Sequence, residues 1–280
     1  MALNKNHRFG LISFFILLAL AILVTMEPWK ASTSLTEAAN PDAPPPVIRL
    51  NWLQLENGHP LSPYEDTLIS YKGFDLAYNE EHEQASWVAY VLTRMEVNSG
   101  SISRTDNFRA DRLIPQGSAS LADYRGSGFD RGHLAPAGDM KWDHLAMSES
   151  FLMSNMSPQN PSFNRGIWKK LEEKVRAWAL EKDSLYVITG PALNTVKSSI
   201  GDNSVGVPGY YFKVLVDLSP PDQNFVAFLL PNERSSEDLL DYMITVDSLE
   251  NFTGVDFFAA APDQNIISWL EQNLETNSWK

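Results

Sequence analysis

Asp123-Tyr-Arg-Gly-Ser-Gly-Phe-Asp130-Arg131-Gly132-His133-Leu-Ala-Pro136-Ala-Gly-Asp139 is the stretch on which the reading of this chain turns. Gly126, Gly128 and Gly132 punctuate it and permit turns or close backbone approach. Within about ten residues it gathers two Arg, two Asp and one His. Imidazole is the side chain best able to take a proton near neutral pH. Guanidinium grips phosphate with a two-pronged fork. Downstream runs Ser154-Asn155-Met-Ser-Pro158-Gln159-Asn-Pro-Ser-Phe-Asn164-Arg165-Gly-Ile-Trp168-Lys-Lys-Leu171-Glu172. Asn164 is expected at a helix start, with Glu172 two turns below it. At about 100° per residue the two are offset by only ~80°, so they can share one broad helical side.

Composition narrows what such a stretch can serve. The chain has 280 residues, 44% hydrophobic and 20% charged, which is globular and long enough for a sizeable core. Its net charge of −13 excludes a protein that coats nucleic acid through global basicity. Any phosphate-binding surface must be local. Residues 101–176 carry 11 Lys+Arg against 9 Asp+Glu, whereas 181–280 carry 5 against 15. The basic residues thus concentrate where the chemistry lies. No Cys is present, which excludes disulfides, thiolate-held metals and a thiol nucleophile.

The uncharged apolar run 9–26 follows Lys5, His7 and Arg8. It is expected to be a signal anchor within 1–30, with a cleaved signal peptide as the competing reading. The positive flank directs the chain to the non-cytoplasmic side. Periplasmic or extracellular display follows in a bacterium, secretion if the segment is removed, and the mitochondrial inner membrane or intermembrane space is the alternative. Residues 31–46 read as a Pro-rich linker. Residues 47–280 read as one α+β domain, with strands expected at 87–97, 185–189, 211–216 and 224–230. Helices are expected at 143–153, 165–181, 237–242 and 264–274.

The two motif segments together resemble the DNA/RNA non-specific endonucleases of the ββα-metal (His-Me finger) type, both the endonuclease G-like and the Serratia nuclease-like members. Asp130-Arg131-Gly132-His133 followed by Ala135-Pro136 matches the active-site strand. Ser154-Asn155, Pro158-Gln159, Asn164 and Leu171-Glu172 match the metal-binding segment in spacing and identity. Lesser echoes, such as Tyr211-Phe-Lys213-Val and Pro231-Asn232, extend the match over roughly 61–270. The resemblance implies a central, mainly antiparallel sheet flanked by helices, with two strands and one helix around a metal. It implies Mg²⁺, with Mn²⁺ as a substitute, DNA and RNA as substrates, products ending in 5′-phosphate, and a homodimer. His133 takes the place of the general base, Asn164 of the single protein metal ligand, and Arg131 of an arginine supporting the phosphate. Glu172 takes the place of an acid that holds water near the metal, and Asn155 of a residue that orders the site. A further arginine is expected on a strand before the motif; Arg104 and Arg109 both qualify, with Arg104 slightly favoured. A neutral amide ligand suits Mg²⁺, which dehydrates reluctantly and keeps several waters.

Blander readings compete. His7, His59, His82 and His144 read as surface or packed residues, and His82 lacks the second His of a zinc-protease helix. Asp130 is better read as structural, bonding backbone or pairing with an Arg. Asp139 is balanced between supporting the site and capping a solvated turn. Trp168 and Trp178 read as core, and Lys169, Lys170 and Lys174 as a solvated face. Asn155-Met-Ser157 and Asn251-Phe-Thr253 fit the glycosylation pattern only formally. Two other functions remain open at this point. One is a metal-dependent phosphodiesterase for a non-nucleic-acid substrate, which needs a closed pocket. The other is a catalytically inactive, membrane-tethered binding protein. With an unperturbed imidazole near 6.5, cleavage is expected to rise as pH passes that value.

Overall fold

Asn-Phe-Val-Ala-Phe-Leu-Leu-Pro, residues 224–231, alternates between two interiors. Phe225 and Ala227 enter one core, while Val226, Phe228 and Leu230 enter the other. A strand that is apolar on both sides must be covered on both. The sheet to which it belongs is covered in that way in the computed structural model, which describes residues 59–217, 219 and 223–280. The expected anchor and linker at 1–46 lie outside the described residues. Among those described, no helix is long and apolar enough to cross a membrane.

In chain order the strands are β1 (Asp66–Ser70), β2 (Asp75–Asn79), β3 (Gln84–Thr93), β4 (Asp130–His133), β5 (Met156–Gln159) and β6 (Ser184–Pro191). There follow β7 (Ser198–Ile200), β8 (Val205–Val207), β9 (Tyr210–Asp217), β10 (Asn224–Pro231) and β11 (Met243–Ile244). Seven form the central sheet in the order β1-β2-β3-β6-β9-β10-β11, and all neighbours are antiparallel. Among the described residues the α-helices of four residues or more are α1 (Arg94–Ser99), α2 (Leu121–Tyr124), α3 (His144–Glu149), α4 (Lys169–Lys182), α5 (Val246–Thr253) and α6 (Gln264–Gln272). Leu171, Val175 and Trp178 of α4 pack on one sheet face beside Val187, Leu215 and Phe228. Val246 and Leu249 of α5 and Ile267 and Leu270 of α6 cover the other. The α+β class with a central antiparallel sheet flanked by helices is thus the architecture.

Several element boundaries differ from the expected ones. The strand expected at 87–97 ends at Thr93, because Thr93 and Glu96 form a capping box that starts α1. The helix expected at 143–153 is only α3, with a separate 3₁₀ turn at Met153–Asn155. The helix expected from 165 becomes regular only at Lys169, since Gly166 adopts φ −104°, ψ −111° inside the wide turn Asn164–Trp168. The segment 237–242 is a 3₁₀ turn, Leu239–Tyr242. The last helix is shorter than 264–274 and ends at Gln272.

The β4–β5 ribbon does not join the central sheet. Side chains fasten it there instead. Tyr211 Oη of β9 donates to Pro158 O at 3.0 Å, and Asn232 Nδ2 donates to the same carbonyl at 3.1 Å. Asn160 N donates to Asn232 Oδ1 at 2.8 Å, and Ser157 Oγ donates to Gln84 of β3. The ribbon is therefore carried on the α4 side of the sheet.

Trp178 joins α4 to the sheet and to the C-terminal turn, stacking on Phe228 at 6.0 Å and meeting Trp279 edge-on at 5.2 Å. Trp178→Ala is expected to lower unfolding free energy by about 3–5 kcal/mol, read from urea denaturation at constant m. A loss below ~1 kcal/mol would contradict this packing.

Candidate active site

Strand β4 pairs Asp130 with Gln159, Arg131 with Pro158, Gly132 with Ser157 and His133 with Met156. Only glycine fits at 132, because a Cβ there would overlap the side chain of Gln159. Beyond β4 the chain is stapled by Asn155, which is fully buried. Its Nδ2 donates to Ala135 O at 2.9 Å and Ser150 O at 2.8 Å, and its Oδ1 accepts from Ala135 N at 2.9 Å. All its polar capacity is spent on backbone, so Asn155 does not reach the groove. It braces the chain beyond β4, in keeping with a residue that orders the site. The same burial removes it as a glycan acceptor.

His133 borders a surface groove with Arg104, Arg131, Gly138, Asn164, Arg165, Lys169, Glu172 and Arg176. An adjoining depression adds Leu121, Arg125 and Phe129 and shares Arg104, Arg131, Asn164 and Arg165. Glu172 thus reaches the same groove as Asn164 despite the break at Gly166. Arg104, Arg125, Arg131, Arg165, Lys169 and Arg176 outnumber Asp106, Asp130 and Glu172 along the combined groove. A cationic surface is therefore built into a chain whose net charge is −13. Lys169 borders it from an exposed helix face, with its Nζ 3.6 Å from Glu173 Oε1, in keeping with the solvated-face reading. The groove lies open along the surface, unlike the closed pocket expected of a small-substrate phosphodiesterase.

Asp130 orders the helix start. Its Oδ2 accepts from Asn164 Nδ2 at 3.0 Å and Arg165 Nε at 2.8 Å, and its Oδ1 accepts from Arg165 Nη2 at 2.6 Å. Asn164 borders both depressions with its Nδ2 held by Asp130, which leaves Oδ1 without a role in that clasp. Arg165 holds the Asp130 carboxyl below its ordinary range despite the opposing effect of burial, and Asn164 adds to this. Among the described residues, no group of three or more His, Cys, Asp or Glu could hold a metal ion. What the groove offers is one amide oxygen outside that clasp, with a carboxylate nearby. Such a set fits a hard cation that stays largely hydrated.

Two aromatic rings account for the state of His133. Phe108 and Phe151 meet its imidazole edge-on at 5.7 and 5.0 Å. The same rings seat the arginines: Arg131 Cζ lies 4.0 Å from the Phe108 centroid and Arg104 Cζ 4.7 Å from that of Phe151. Burial first, then the charges of Arg104 and Arg131, push the imidazole down to about 3. His133 is therefore neutral throughout the physiological range, and the rise in cleavage expected near 6.5 is not its signature. Its Nε2 is buried without a partner, which leaves Nδ1 to face the groove.

Arg104 and Arg109 part company. Arg104 borders both depressions from an irregular segment, not a strand. Arg109 Nη1 donates to Ser148 O at 2.9 Å and lines a separate depression with Leu113 and Leu145. Asp139 is buried rather than solvated, receiving Arg176 Nη1 at 2.7 Å and Tyr90 Oη at 2.8 Å. Trp168 and Trp178 are core. The residues the sequence reading passed over are Phe108, Phe151, Arg165, Arg176 and Lys213. Only Lys213 carried a local signal, as a charge inside the apolar run Tyr210-Tyr-Phe-Lys-Val-Leu-Val216.

The family model for DNA/RNA non-specific endonucleases matches residues 55–264. A nuclease from Nostoc sp. is 34% identical over 223 residues, covering 75% of this chain and 80% of its own. Mitochondrial endonuclease G from Caenorhabditis elegans is 34% identical, covering 71% of this chain and 70% of its own. The human mitochondrial endonuclease G is 33% identical, covering 68% and 69%. A crystal structure of the EndoG/EndoGI complex superposes with a TM-score of 0.69 at 29% identity, covering 79% of this chain and 95% of that one.

The displaced imidazole has a consequence for stability. A His whose folded value lies below its unfolded one binds fewer protons when native, so its contribution is complete above about 6.5 and is lost as pH falls towards 3. Unfolding free energy should drop by up to ~1.4 kcal/mol per pH unit across that window from this group alone. His133→Gln should flatten the slope in denaturant titrations at pH 4–7; parallel curves for both proteins would refute a buried neutral imidazole.

Proposed function

Because the chain belongs to the DNA/RNA non-specific endonuclease family, a family of divalent-metal-dependent nucleases, we propose that its groove hydrolyses phosphodiester bonds in DNA and RNA with Mg²⁺, His133 acting as general base and Asn164 as the metal's protein ligand. The observation that carries this reading is that His133 and Asn164, far apart in sequence, border one groove, with Asp130 of the His133 strand holding the Asn164 amide.

His133 enters the reaction neutral, and its Nδ1 accepts the proton of the water that attacks phosphorus. Its low intrinsic basicity reflects the two arginines as well as burial. A phosphodiester anion set between Arg104 and Arg131 offsets those charges and makes the imidazole a stronger acceptor while substrate is bound. The same guanidiniums stabilise charge growing on the phosphoryl oxygens. Mg²⁺ bound at Asn164 Oδ1, with Mn²⁺ able to replace it, would supply Lewis-acid assistance to the leaving oxygen. Glu172 accepts hydrogen bonds from water in the groove, and Asn155 keeps the chain after His133 in place. The P–O3′ bond breaks, leaving a 3′-hydroxyl and a 5′-phosphate. Contacts to phosphate rather than base edges account for indifference to sequence and sugar.

The segment 9–26 is proposed to deliver the domain 47–280 to the non-cytoplasmic side of a membrane, as anchor or as export signal. The mitochondrial names of the endonuclease G relatives support the mitochondrial alternative. A homodimer is the assembly proposed.

On supercoiled plasmid with Mg²⁺, His133→Ala and Asn164→Ala should each nick at least ~10²-fold more slowly, and EDTA should stop the wild type. Arg104→Ala should impair cleavage far more than Arg109→Ala, and added salt should weaken it steeply. Wild-type nicking by His133→Ala would defeat the assignment.

A further inference from the structure

Leu121, at the start of α2, is 39% exposed and borders the depression that adjoins the His133 groove. The same depression is bordered by Arg125, four residues on, and by Phe129, whose side chain is half-buried. Among the described residues, Arg125 makes no ion pair within 4.0 Å. An exposed leucine, a half-exposed ring and an unanswered guanidinium thus meet at one place beside the site.

That wall is firmly built. Asp123 is buried and accepts from Ser120 N at 2.7 Å and Ser120 Oγ at 2.8 Å, closing the cap of α2. The same carboxylate accepts from Asn203 N at 3.0 Å and Asn203 Nδ2 at 2.9 Å, tying α2 to the turn between β7 and β8. Gly201, at φ +69°, lets that turn close on Asp123, where any Cβ would overlap the carboxylate side chain. Tyr124 is buried with Met153, Met156 and Ile200, and Phe129 packs against the same cluster. The wall therefore stands in place before any ligand arrives, which lowers the cost of binding one.

The two depressions share Arg104, Arg131, Asn164 and Arg165 and differ in what each adds. His133 borders only the one with Lys169, Glu172 and Arg176. In the other, the Phe108 ring already carries Arg131 and Tyr124 is buried, which leaves Phe129 as the ring open to a ligand. In-line displacement sets the attacking water and the leaving O3′ on opposite sides of phosphorus. With the water at His133, the nucleoside that keeps O3′ extends away from His133, into the depression that His133 does not border.

We propose that this depression is a nucleoside subsite: Leu121 and Phe129 take the base on the 5′ side of the scissile bond, and Arg125 takes the next phosphate upstream. The inference rests on the reading of the site given above. Every base has a π-face, so such a contact adds affinity without sequence preference. A guanidinium next to it suits the diester that follows.

A 5′-labelled single-stranded oligonucleotide carrying one tetrahydrofuran abasic residue, digested briefly with Mg²⁺ and resolved as a ladder, tests this within one lane. Cutting at the linkage 3′ of that residue, which places it in the subsite, should fall roughly ten-fold; cutting at the linkage on its 5′ side should match an unmodified strand. Leu121→Ser should bring that contrast down to about three-fold by slowing cleavage of normal linkages, with a level melting midpoint because the side chain is exposed. Arg125→Ala should raise KM more than it lowers kcat and leave the contrast in place. Equal cutting on both sides of the abasic residue, depletion on its 5′ side, or an undiminished contrast in Leu121→Ser overturns the proposal. The wild-type ladder decides the matter even where a variant does not fold. His133→Ala separates the two failures: if it cleaves normally, the site reading falls; if it is inert while the wild-type ladder shows no contrast, only the subsite falls.

Discussion

Asp130 is the joint on which the site depends. One carboxylate at the head of β4 takes the Asn164 amide and both prongs of Arg165, fixing the start of the helical segment to the strand that ends in His133. The pairing of Asp130 with Gln159 brings the start of that segment beside β4, and the side-chain bonds then fix its orientation. The carboxylate adds a side-chain clasp to the backbone ladder that already joins β4 to β5. Because it holds the amide by its nitrogen, it leaves the amide oxygen of Asn164 outside the clasp.

The aromatic pair Phe108 and Phe151 performs three tasks at once. It takes His133 out of water, removes polar company from its ring, and seats Arg104 and Arg131 over the two phenyl rings. Each effect drives the imidazole towards neutrality, and each is a stability cost carried by the surrounding packing. The groove behind them is equally economical. Glycine at 132 and 138 lets the Gln159 side chain and the Arg176 guanidinium approach where any Cβ would intrude.

The local chemistry of the site was legible in the sequence, and its depth was not. Asp130–His133 and Asn164–Glu172 announce residue types at close spacing, and short-range spacing survives folding. The central strands at 184–191, 210–217 and 224–231 were legible because each is apolar on both sides. By contrast, β1, Asp-Thr-Leu-Ile-Ser, has a half-exposed edge composition that hides its strand. The helix 94–99 was hidden because Thr93 caps it directly at a strand end. The state of His133 depends on Phe108, Phe151 and Arg104, which come from other segments of the chain, so no local pattern could reveal it. The choice between Arg104 and Arg109 likewise turns on Ser148, which holds Arg109 away. Asn155 read as a residue that orders the site; which backbone groups it braces, Ala135 and Ser150, depends on how the chain folds back and was not legible.

The central sheet also divides the molecule's charge. The cationic groove and α4 lie on one face, while α5 and α6, with Asp247 and the capping Asp263, cover the other. A body with opposite charge on its two sides has an electric dipole moment. In the field of a polyanion it feels a torque before any contact forms. Encounters would thus be rotated groove-first, and a strand meeting the wrong side would be turned away rather than captured unproductively.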